Sequence, residues 1–166
     1  MTTASDEQLR AYRDTIGRFA TGVTIVTTTG PDGPAGMTTN AVTSLSLDPL
    51  LLLVCFDRGS RTLDVVRKSR RFAVNVLRAQ DVELAAVFAS KRVAREKFDS
   101  VTHTEAHGVP VLDKALAWIA CELRELLPGG DHVIGVGAVV GTGGAGQEGE
   151  PLVFHRGVYT TLAHPT

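Results

Sequence analysis

The sequence has 166 residues, of which 43% are hydrophobic and 21% are charged, and its formal net charge is −1 at pH 7. This length fits one domain with a sizeable core, and the composition is ordinary for a globular protein. Because no basic block stands out, a nucleic-acid-binding function is not expected. We therefore predict a single domain over residues 1–166.

The cysteines and the N-terminal segment predict a cytoplasmic protein. Cys55 and Cys121 lie far apart inside apolar runs, without a CxxC pair or zinc-type spacing, which is typical of buried free thiols. No basic segment followed by an apolar stretch opens the chain, so no signal peptide is predicted. The longest apolar run, Leu50–Phe56, is too short to span a bilayer, so no membrane association is expected.

The first predicted element is a helix from Ser5 to Ala20, which would form an N-terminal arm. Ser5 and Gln8 have the spacing of a capping box, in which each side chain satisfies a free backbone N–H. Steps of three and four residues give the helix one apolar stripe, formed by Leu9, Tyr12, Ile16 and Phe19. Gly22 would end the segment.

A β-hairpin is predicted next. Val23–Thr28 alternates apolar and polar residues, and the following Gly30–Gly33 segment has turn chemistry. The returning strand would be Gly36–Leu47 (GMTTNAVTSLSL), up to the break at Asp48-Pro49. Its uncharged hydroxyl, amide and backbone donors suit a large, polar, partly aromatic ligand. An edge strand with its polar face in water would show the same pattern.

Short strands and helices follow without regular alternation. Leu50–Phe56 is apolar throughout, which predicts a strand covered on both faces. The other predicted strands are Arg71–Leu77, Ala117–Leu126, His132–Val140, Pro151–Phe154 and Val158–Leu162. The predicted helices are Leu63–Ser69 and Asp81–Ser90, whereas Lys91–Gly108 is less regular and Gly141–Glu150 is a glycine-rich connection. This pattern predicts a mainly β protein with peripheral helices, arranged as an antiparallel barrel.

Two motifs point to sites that their surroundings disfavour. Gly141, Gly143 and Gly146 spell GxGxxG after a predicted strand, but no helical pattern follows, so a hairpin loop is favoured over a dinucleotide site. His103 and His107 are four residues apart, but a chain break at Gly108-Val109-Pro110 follows and a third ligand is not obvious. No metal site is predicted.

Two further patterns indicate ligand contacts. Gly130-Asp131-His132 places an ionisable pair at a turn between strands, although an ordinary hairpin with an exposed imidazole fits as well. Arg58 and Arg61 flank Gly59-Ser60 just before a helix. Backbone N–H groups, a hydroxyl and a guanidinium there would bind a phosphate, and a normal helix cap with solvated arginines is the alternative.

Nine segments follow one another in an order and spacing that together form a family pattern. They are FATGVTIVTT (Phe19–Thr28), GMTTNAVTSLSLDP (Gly36–Pro49), LLLVCFDRGSRT (Leu51–Thr62), FAVNVL (Phe72–Leu77), VFA (Val87–Ala89), KFD (Lys97–Asp99), GVPVLDKALAWIACE (Gly108–Glu122), GGDHVIGVGAV (Gly129–Val139) and PLVFHRGVY (Pro151–Tyr159). From about Tyr12 to Leu162, the chain resembles the short-chain flavin reductase family. These are the NAD(P)H:flavin oxidoreductases that serve two-component monooxygenases.

The resemblance implies a split β-barrel with an FMN-binding, flavin-reductase-like fold, normally a homodimer with flavin near the subunit interface. It also assigns residues to the ligands. The isoalloxazine ring and ribityl chain would be lined by Thr38, Thr39, Asn40, Ala41 and Val42, with Ser44 and Leu45 continuing that wall. The phosphate would be bound by Gly59, Ser60 and Arg61, and Lys91 would lie near the phosphate or adenylate side. The nicotinamide side would be formed by Asp131, His132, Arg156 and Tyr159.

The implied activity is NAD(P)H-dependent reduction of free FMN or FAD by hydride transfer to flavin N5. The rings supply the electronic chemistry, and the protein holds them close and oriented. His132 is the expected nicotinamide-positioning residue. NADH is favoured over NADPH because no cationic cluster for a 2′-phosphate can be located. Reduced flavin would pass to a separate monooxygenase. Two alternatives remain: a same-fold flavoprotein that keeps its flavin and acts on another substrate, and a non-catalytic flavin-binding protein.

Overall fold

The computed structural model describes residues 4–99, 101–144, 146 and 148–162. The helices in these residues are α1 (Asp6–Ile16), α2 (Arg61–Ser69), α3 (Val82–Ala89) and α4 (Ala94–Phe98). The strands are β1 (Thr21–Gly22), β2 (Thr24–Gly30), β3 (Gly33–Thr39), β4 (Val42–Leu47), β5 (Leu50–Asp57), β6 (Arg71–Val76), β7 (His103–Ala106), β8 (Val109–Leu112), β9 (Ala117–Gly129), β10 (His132–Gly143), β11 (Val153–His155) and β12 (Val158–Thr160).

A seven-stranded antiparallel sheet dominates the fold, in the order β3-β2-β6-β9-β10-β5-β4. Smaller sheets are formed by β1-β11-β12 and by β7-β8. The helices lie outside the sheets, so the predicted mainly β architecture with peripheral helices is confirmed. No helix in the described part of the chain combines the length and the apolarity needed to cross a membrane.

The segment predicted as one strand, Gly36–Leu47, is divided between two strands, so that prediction was wrong. β3 ends at Thr39 and β4 begins at Val42, and these strands lie at opposite edges of the seven-stranded sheet. Seven strands laid flat would separate the edges by about 29 Å, whereas the three peptide units from Thr39 to Val42 span at most about 11 Å. The sheet must therefore curve until its edges approach each other. Among the described residues β3 and β4 do not pair with each other.

The apolar strand β5 is covered on one face only, which corrects the prediction of burial on both. Leu52, Val54 and Phe56 are buried in the main core, where Phe56 meets Phe72 edge to face with ring centroids 6.1 Å apart. The alternate residues Leu51, Leu53 and Cys55 are only half-buried. Their apolar character therefore remains unexplained by the fold of a single chain.

Helix α1 begins as predicted but is shorter. The capping box is present, because Gln8 N–H donates to Ser5 Oγ (3.2 Å) and Ser5 N–H donates to Gln8 Oε1 (2.8 Å). The helix ends at Ile16 with Gly17 as its C-cap, and Gly22 belongs to β1, which pairs with β11. None of the helix residues is buried, and Tyr12 and Phe19 of the predicted stripe are 66% and 70% exposed.

The irregular segment predicted over Lys91–Gly108 contains α4 and β7, and β7 forms a hairpin with β8. This hairpin covers the second face of β6, so Asn75 is buried rather than solvated. Its side-chain amide donates to the Ile25 carbonyl (3.0 Å) and its oxygen accepts the Leu112 N–H (2.8 Å). One polar side chain thus connects three strands.

The remaining predicted elements are confirmed with shifted ends, apart from the glycine-rich connection. β9 and β10 extend beyond the predicted bounds, so Gly141 and Gly143 lie inside β10 and not in a loop. A Cβ at Gly143 would clash with the Trp118 ring, and a Cβ at Gly141 would require the exposed His107 ring to move aside. These two glycines of the GxGxxG motif therefore serve ring packing.

Candidate flavin-binding site

A cavity of about 360 Å³ opens between β3, the start of α2, the end of α3 and α4. This volume lies in the range of small-molecule sites. Five residues predicted from the sequence line it: Thr38, Gly59, Ser60, Arg61 and Lys91. The cavity therefore joins one end of the predicted ring wall to the whole of the predicted phosphate side.

The start of α2 presents a free helix N-terminus to this cavity. Ser60 is the N-cap residue, but its side chain makes no capping hydrogen bond and its Oγ lies 3.1 Å from Met37 Sδ. The preceding turn is fixed by Asp57, whose Oδ1 accepts the Gly59 N–H at 2.7 Å. Uncapped N–H groups and the positive end of the helix dipole favour an anion at this position.

Arg61 connects the start of α2 to the loop after α3. Its Nη2 donates to the carbonyl oxygens of Lys91 (2.7 Å) and Arg92. This guanidinium therefore holds the loop, although Arg61 itself stays exposed to solvent. The side chains of Lys91 and Arg92 stand at the cavity rim as a result.

Lys97 on α4 adds a buried ammonium group. The residue is only 6% exposed, and its Nζ donates to the carbonyl oxygens of Phe88 (2.9 Å) and Gly36 (3.4 Å). Burial and, secondly, the positive charge of Arg61 lower the pKa of Lys97. The described residues lining the cavity thus include four cationic side chains, and their one carboxylate is that of Asp57.

The predicted ring wall continues from the cavity along the chain, and its polar groups are partly engaged within the protein. Thr38 Oγ1 donates to the Ala85 carbonyl (2.6 Å), and Thr39 Oγ1 accepts the Ala41 N–H (3.1 Å). Asn40 Nδ2 donates to Thr21 Oγ1 at 3.0 Å. These contacts fix the backbone of the link between the sheet edges, and the Ala41 carbonyl accepts a further hydrogen bond from the Cys55 N–H at 2.9 Å.

The residues after Thr38 do not line the cavity itself. Asn40 and Ala41 are exposed, Val42 packs partly against the main core, and Ser44 and Leu45 are exposed on β4. They border the surface beyond the cavity, next to the exposed outer face of β5. These residues therefore follow one another along the chain, but the cavity of a single chain does not enclose them.

Asp131 and His132 form a hydrogen-bonded pair at the β9–β10 turn. Their Oδ1 and Nδ1 atoms are 2.8 Å apart, and the pKa of Asp131 is lowered first by this hydrogen bond and then by the imidazole charge. The turn is joined to the end of β5, because Arg58 N–H donates to the Asp131 carbonyl (3.1 Å) and His132 pairs with Asp57. It therefore stands beside the cavity residue Asp57.

Arg156 and Tyr159 are not brought to this cavity. Arg156 has a positive φ of 52°, its N–H donates to the Gly17 carbonyl (2.7 Å), and it lines a separate depression beside α1. Tyr159 packs against Phe154, with ring centroids 5.6 Å apart. Within one chain, the predicted nicotinamide side is therefore divided.

The two histidines that are four residues apart in the sequence, His103 and His107, lie against two different aromatic rings. His103 meets the Phe98 ring and His107 meets the Trp118 ring. No cluster of three potential metal-binding side chains occurs in the part of the chain that the structure describes.

Comparison with known families decides the relationship. The model of the flavin reductase like domain matches residues 16–163. The chain belongs to this flavin reductase family. Among the curated family members, a probable flavin reductase from Rhizobium meliloti is 40% identical over 154 residues, which cover 92% of this chain. The chain spans 48% of the length of that relative.

Two further proteins are similar to this chain over most of both lengths. The NADH-dependent FMN reductase AsuE2 of Streptomyces nodosus subsp. asukaensis is 36% identical, with 93% of this chain and 85% of the relative covered. Component B of nitrilotriacetate monooxygenase from Mycobacterium thermoresistibile superposes with a TM-score of 0.91 at 34% identity. That superposition covers 96% of this chain and 89% of the solved one.

The sequence analysis missed Lys97 and Arg92 as residues of the cavity. Lys97 lies within a segment, KFD, that contributed to the family resemblance, but a lysine in the charged sequence AREKF has the pattern of a solvated helix. Its neighbour Phe98 is buried with Phe88, Leu112 and Leu152 in a second core cluster, which anchors α4 against the fold.

Proposed function

We propose that this flavin reductase family member uses NADH to reduce FMN or FAD and releases the reduced flavin to a separate monooxygenase. The observation that carries the proposal is the cavity. Its cationic side chains and the start of α2, which could bind a phosphate, adjoin the uncharged segment that begins at Thr38. Family membership and the names of the relatives, an NADH-dependent FMN reductase and a monooxygenase component, support the same activity.

The residues present fit a flavin mononucleotide moiety. A phosphate would be bound by the N-terminal N–H groups of α2 and by the surrounding cations. The ring would lie along the segment from Thr38 to Leu45, where backbone groups, Asn40 and the apolar Val42 and Leu45 are available. Flavin and nicotinamide supply hydride transfer between their own rings, and the chain contributes binding and orientation.

His132 is the residue that we assign to the nicotinamide. The Asp131 carboxylate is hydrogen-bonded to Nδ1 of His132. The other ring nitrogen, Nε2, takes no part in that hydrogen bond. Such an imidazole can bind the carboxamide of the nicotinamide without taking part in the hydride step. NADH is preferred in this proposal over NADPH. Arg156 and Tyr159 are not part of the pocket proposed for a single chain.

We further propose a homodimer and a split β-barrel. The short link between β3 and β4 supports a barrel whose edges approach without continuous pairing. The outer face of β5 and β10 supports a second copy: Leu53 pairs with Val136 and Cys55 pairs with Ile134, and all four are only half-buried. Leu47 and Leu50, 82% and 53% exposed, pair with each other at the turn end of β4 and β5 and add exposed apolar surface beside this face. A patch of this kind marks a protein interface.

The remaining parts of the proposal concern domain organisation and cellular location. Residues 1–166 would act as one flavin-reductase-like domain. A cytoplasmic location is proposed because Cys55 and Cys121 are free thiols and because NADH is the expected donor.

The test is the loss of NADH absorbance in air, with and without added FMN or FAD. Oxidation that requires added flavin supports a reductase of diffusible flavin, and the same assay compares NADH with NADPH. Oxidation without added flavin indicates a retained prosthetic group. Flavin binding without NADH oxidation under any combination would overturn the proposed activity.

A further inference from the structure

The buried ammonium of Lys97 has more donors than the protein uses. A lysine ammonium carries three N–H groups, and two of them are taken by the carbonyl oxygens of Phe88 (2.9 Å) and Gly36 (3.4 Å). The residue is 6% exposed and lines the cavity. Its remaining donor capacity and its charge are therefore available to a molecule in the cavity.

No carboxylate in the described cavity lining neutralises this ammonium. Asp57 is engaged in the turn before α2, where its Oδ1 accepts the Gly59 N–H at 2.7 Å. The other charged side chains that face the cavity are the cations Arg61, Lys91 and Arg92. A buried charge without a counter-ion is unfavourable, and a bound anion would remove that cost.

The contact between β3 and α3 does not by itself require a charged residue at position 97. Thr38 Oγ1 already joins these elements through the Ala85 carbonyl at 2.6 Å. Lys97 adds to this junction a positive charge that stays inside the cavity, because its amine is anchored to Gly36 at one side and to Phe88 at the other. An anchored cation suits recognition of an anion at one fixed position.

We propose that Lys97 is the buried counter-charge of the flavin phosphate and makes this site selective for phosphorylated flavins over riboflavin, an inference that rests on the proposed function. The ring of riboflavin is identical to that of FMN, so the preference measures the phosphate contacts alone. Lys97 is a positioning residue here, because it holds the substrate at the phosphate and does not touch the reacting ring.

The experiment measures dissociation constants for FMN and riboflavin by flavin fluorescence in the wild type, Lys97→Met and Lys68→Met. Lys68 is exposed on α2 and gives the same change in net charge away from the cavity. We expect Lys97→Met to weaken FMN binding by about ten- to hundred-fold, as expected for loss of a hydrogen bond to a charged group. Riboflavin binding should change less than about two-fold, and Lys68→Met should change neither by more than that.

A second measurement uses the wild type alone and does not depend on folding of a variant. Inorganic pyrophosphate should compete with FMN but leave riboflavin binding unchanged. An equal loss of FMN and riboflavin affinity in Lys97→Met, or pyrophosphate without effect on FMN, would overturn the role of Lys97. Binding of neither flavin by the wild type would instead overturn the proposed function.

Discussion

The guanidinium of Arg61 donates a hydrogen bond of 2.7 Å to the carbonyl oxygen of Lys91. The first residue of α2 thereby holds the loop that follows α3, and a second bond from the same nitrogen reaches the carbonyl of Arg92. The phosphate side of the cavity is thus formed by two segments about thirty residues apart, joined through one side chain.

The variant Arg61→Met should release this loop and remove one charge from the cavity. We expect FMN affinity to fall by about ten-fold or more, because hydrogen bonds to charged groups contribute about 1.5–3 kcal/mol each. Amide hydrogen exchange in residues 90–93 should become faster. Arg67→Met, on the exposed side of the same helix, is the matched control. Unchanged amide hydrogen exchange in residues 90–93 would contradict the conclusion that Arg61 holds this loop.

Glycine at position 137 is required by the main core. A Cβ there would lie 2.6 Å from Phe72 Cζ and 2.8 Å from Cys121 Cβ. Gly137→Ala should therefore lower the free energy of unfolding by about 1–3 kcal/mol, the usual cost of overpacking. Gly22→Ala is the control, because a Cβ at Gly22 meets no atom within 4 Å. Urea unfolding compares the two, and equal stability would show that the core adjusts freely.

Local patterns in the sequence predicted much of this fold because their determinants are local. The capping box of α1 and the β2–β3 hairpin depend on residues a few positions apart, and both are present. The division of Gly36–Leu47 into β3 and β4 depends on pairing with β2 and β5, on opposite sides of the sheet. The residues around Asn40-Ala41 carry no signal for pairing with β5 instead of β2, so the local sequence could not reveal the change of edge.

The site was predictable to the extent that its residues are contiguous in the sequence. Gly59, Ser60 and Arg61 lie at the start of a helix, and that context suggested an anion site, with an ordinary helix cap as the alternative. Lys97 becomes part of the cavity only through carbonyl groups of β3 and α3, which are 61 and 9 residues away in sequence. The sequence of α4 alone therefore cannot reveal that Lys97 contacts these two carbonyl groups.

The exposed apolar surface at the turn end of β4 and β5 should help to hold two copies together. Leu47→Glu combined with Leu50→Glu places two charges on side chains that are 82% and 53% exposed, so the fold of one chain should survive. We expect the mass measured by light scattering to fall from that of two chains to that of one. Val82→Glu, at an exposed apolar position on α3, is the control. A wild-type monomer, or a double variant that stays dimeric, would contradict this interface.

His132 should affect nicotinamide binding more than the rate of the bound complex. We expect His132→Ala to raise KM for NADH about two- to ten-fold, as for loss of a neutral hydrogen bond, with kcat changed much less. Steady-state kinetics at saturating FMN separates the two constants. An unchanged KM and kcat would remove His132 from the site.

Asp131→Asn tests how this imidazole is oriented. The pKa of Asp131 is lowered from 3.8, chiefly by its hydrogen bond to His132. A lowered carboxyl pKa means that the pair contributes to stability above the unfolded-state pKa, and that this contribution is lost as pH falls through the lowered value. Because the Asp131 side chain is 93% exposed, wild type should be only slightly more stable than Asp131→Asn at neutral pH, and the two should converge in strong acid. The variant should also raise KM for NADH, by less than His132→Ala does, because the imidazole remains but its partner no longer carries a charge. A KM equal to that of the wild type would show that Asp131 does not orient His132 for the nicotinamide.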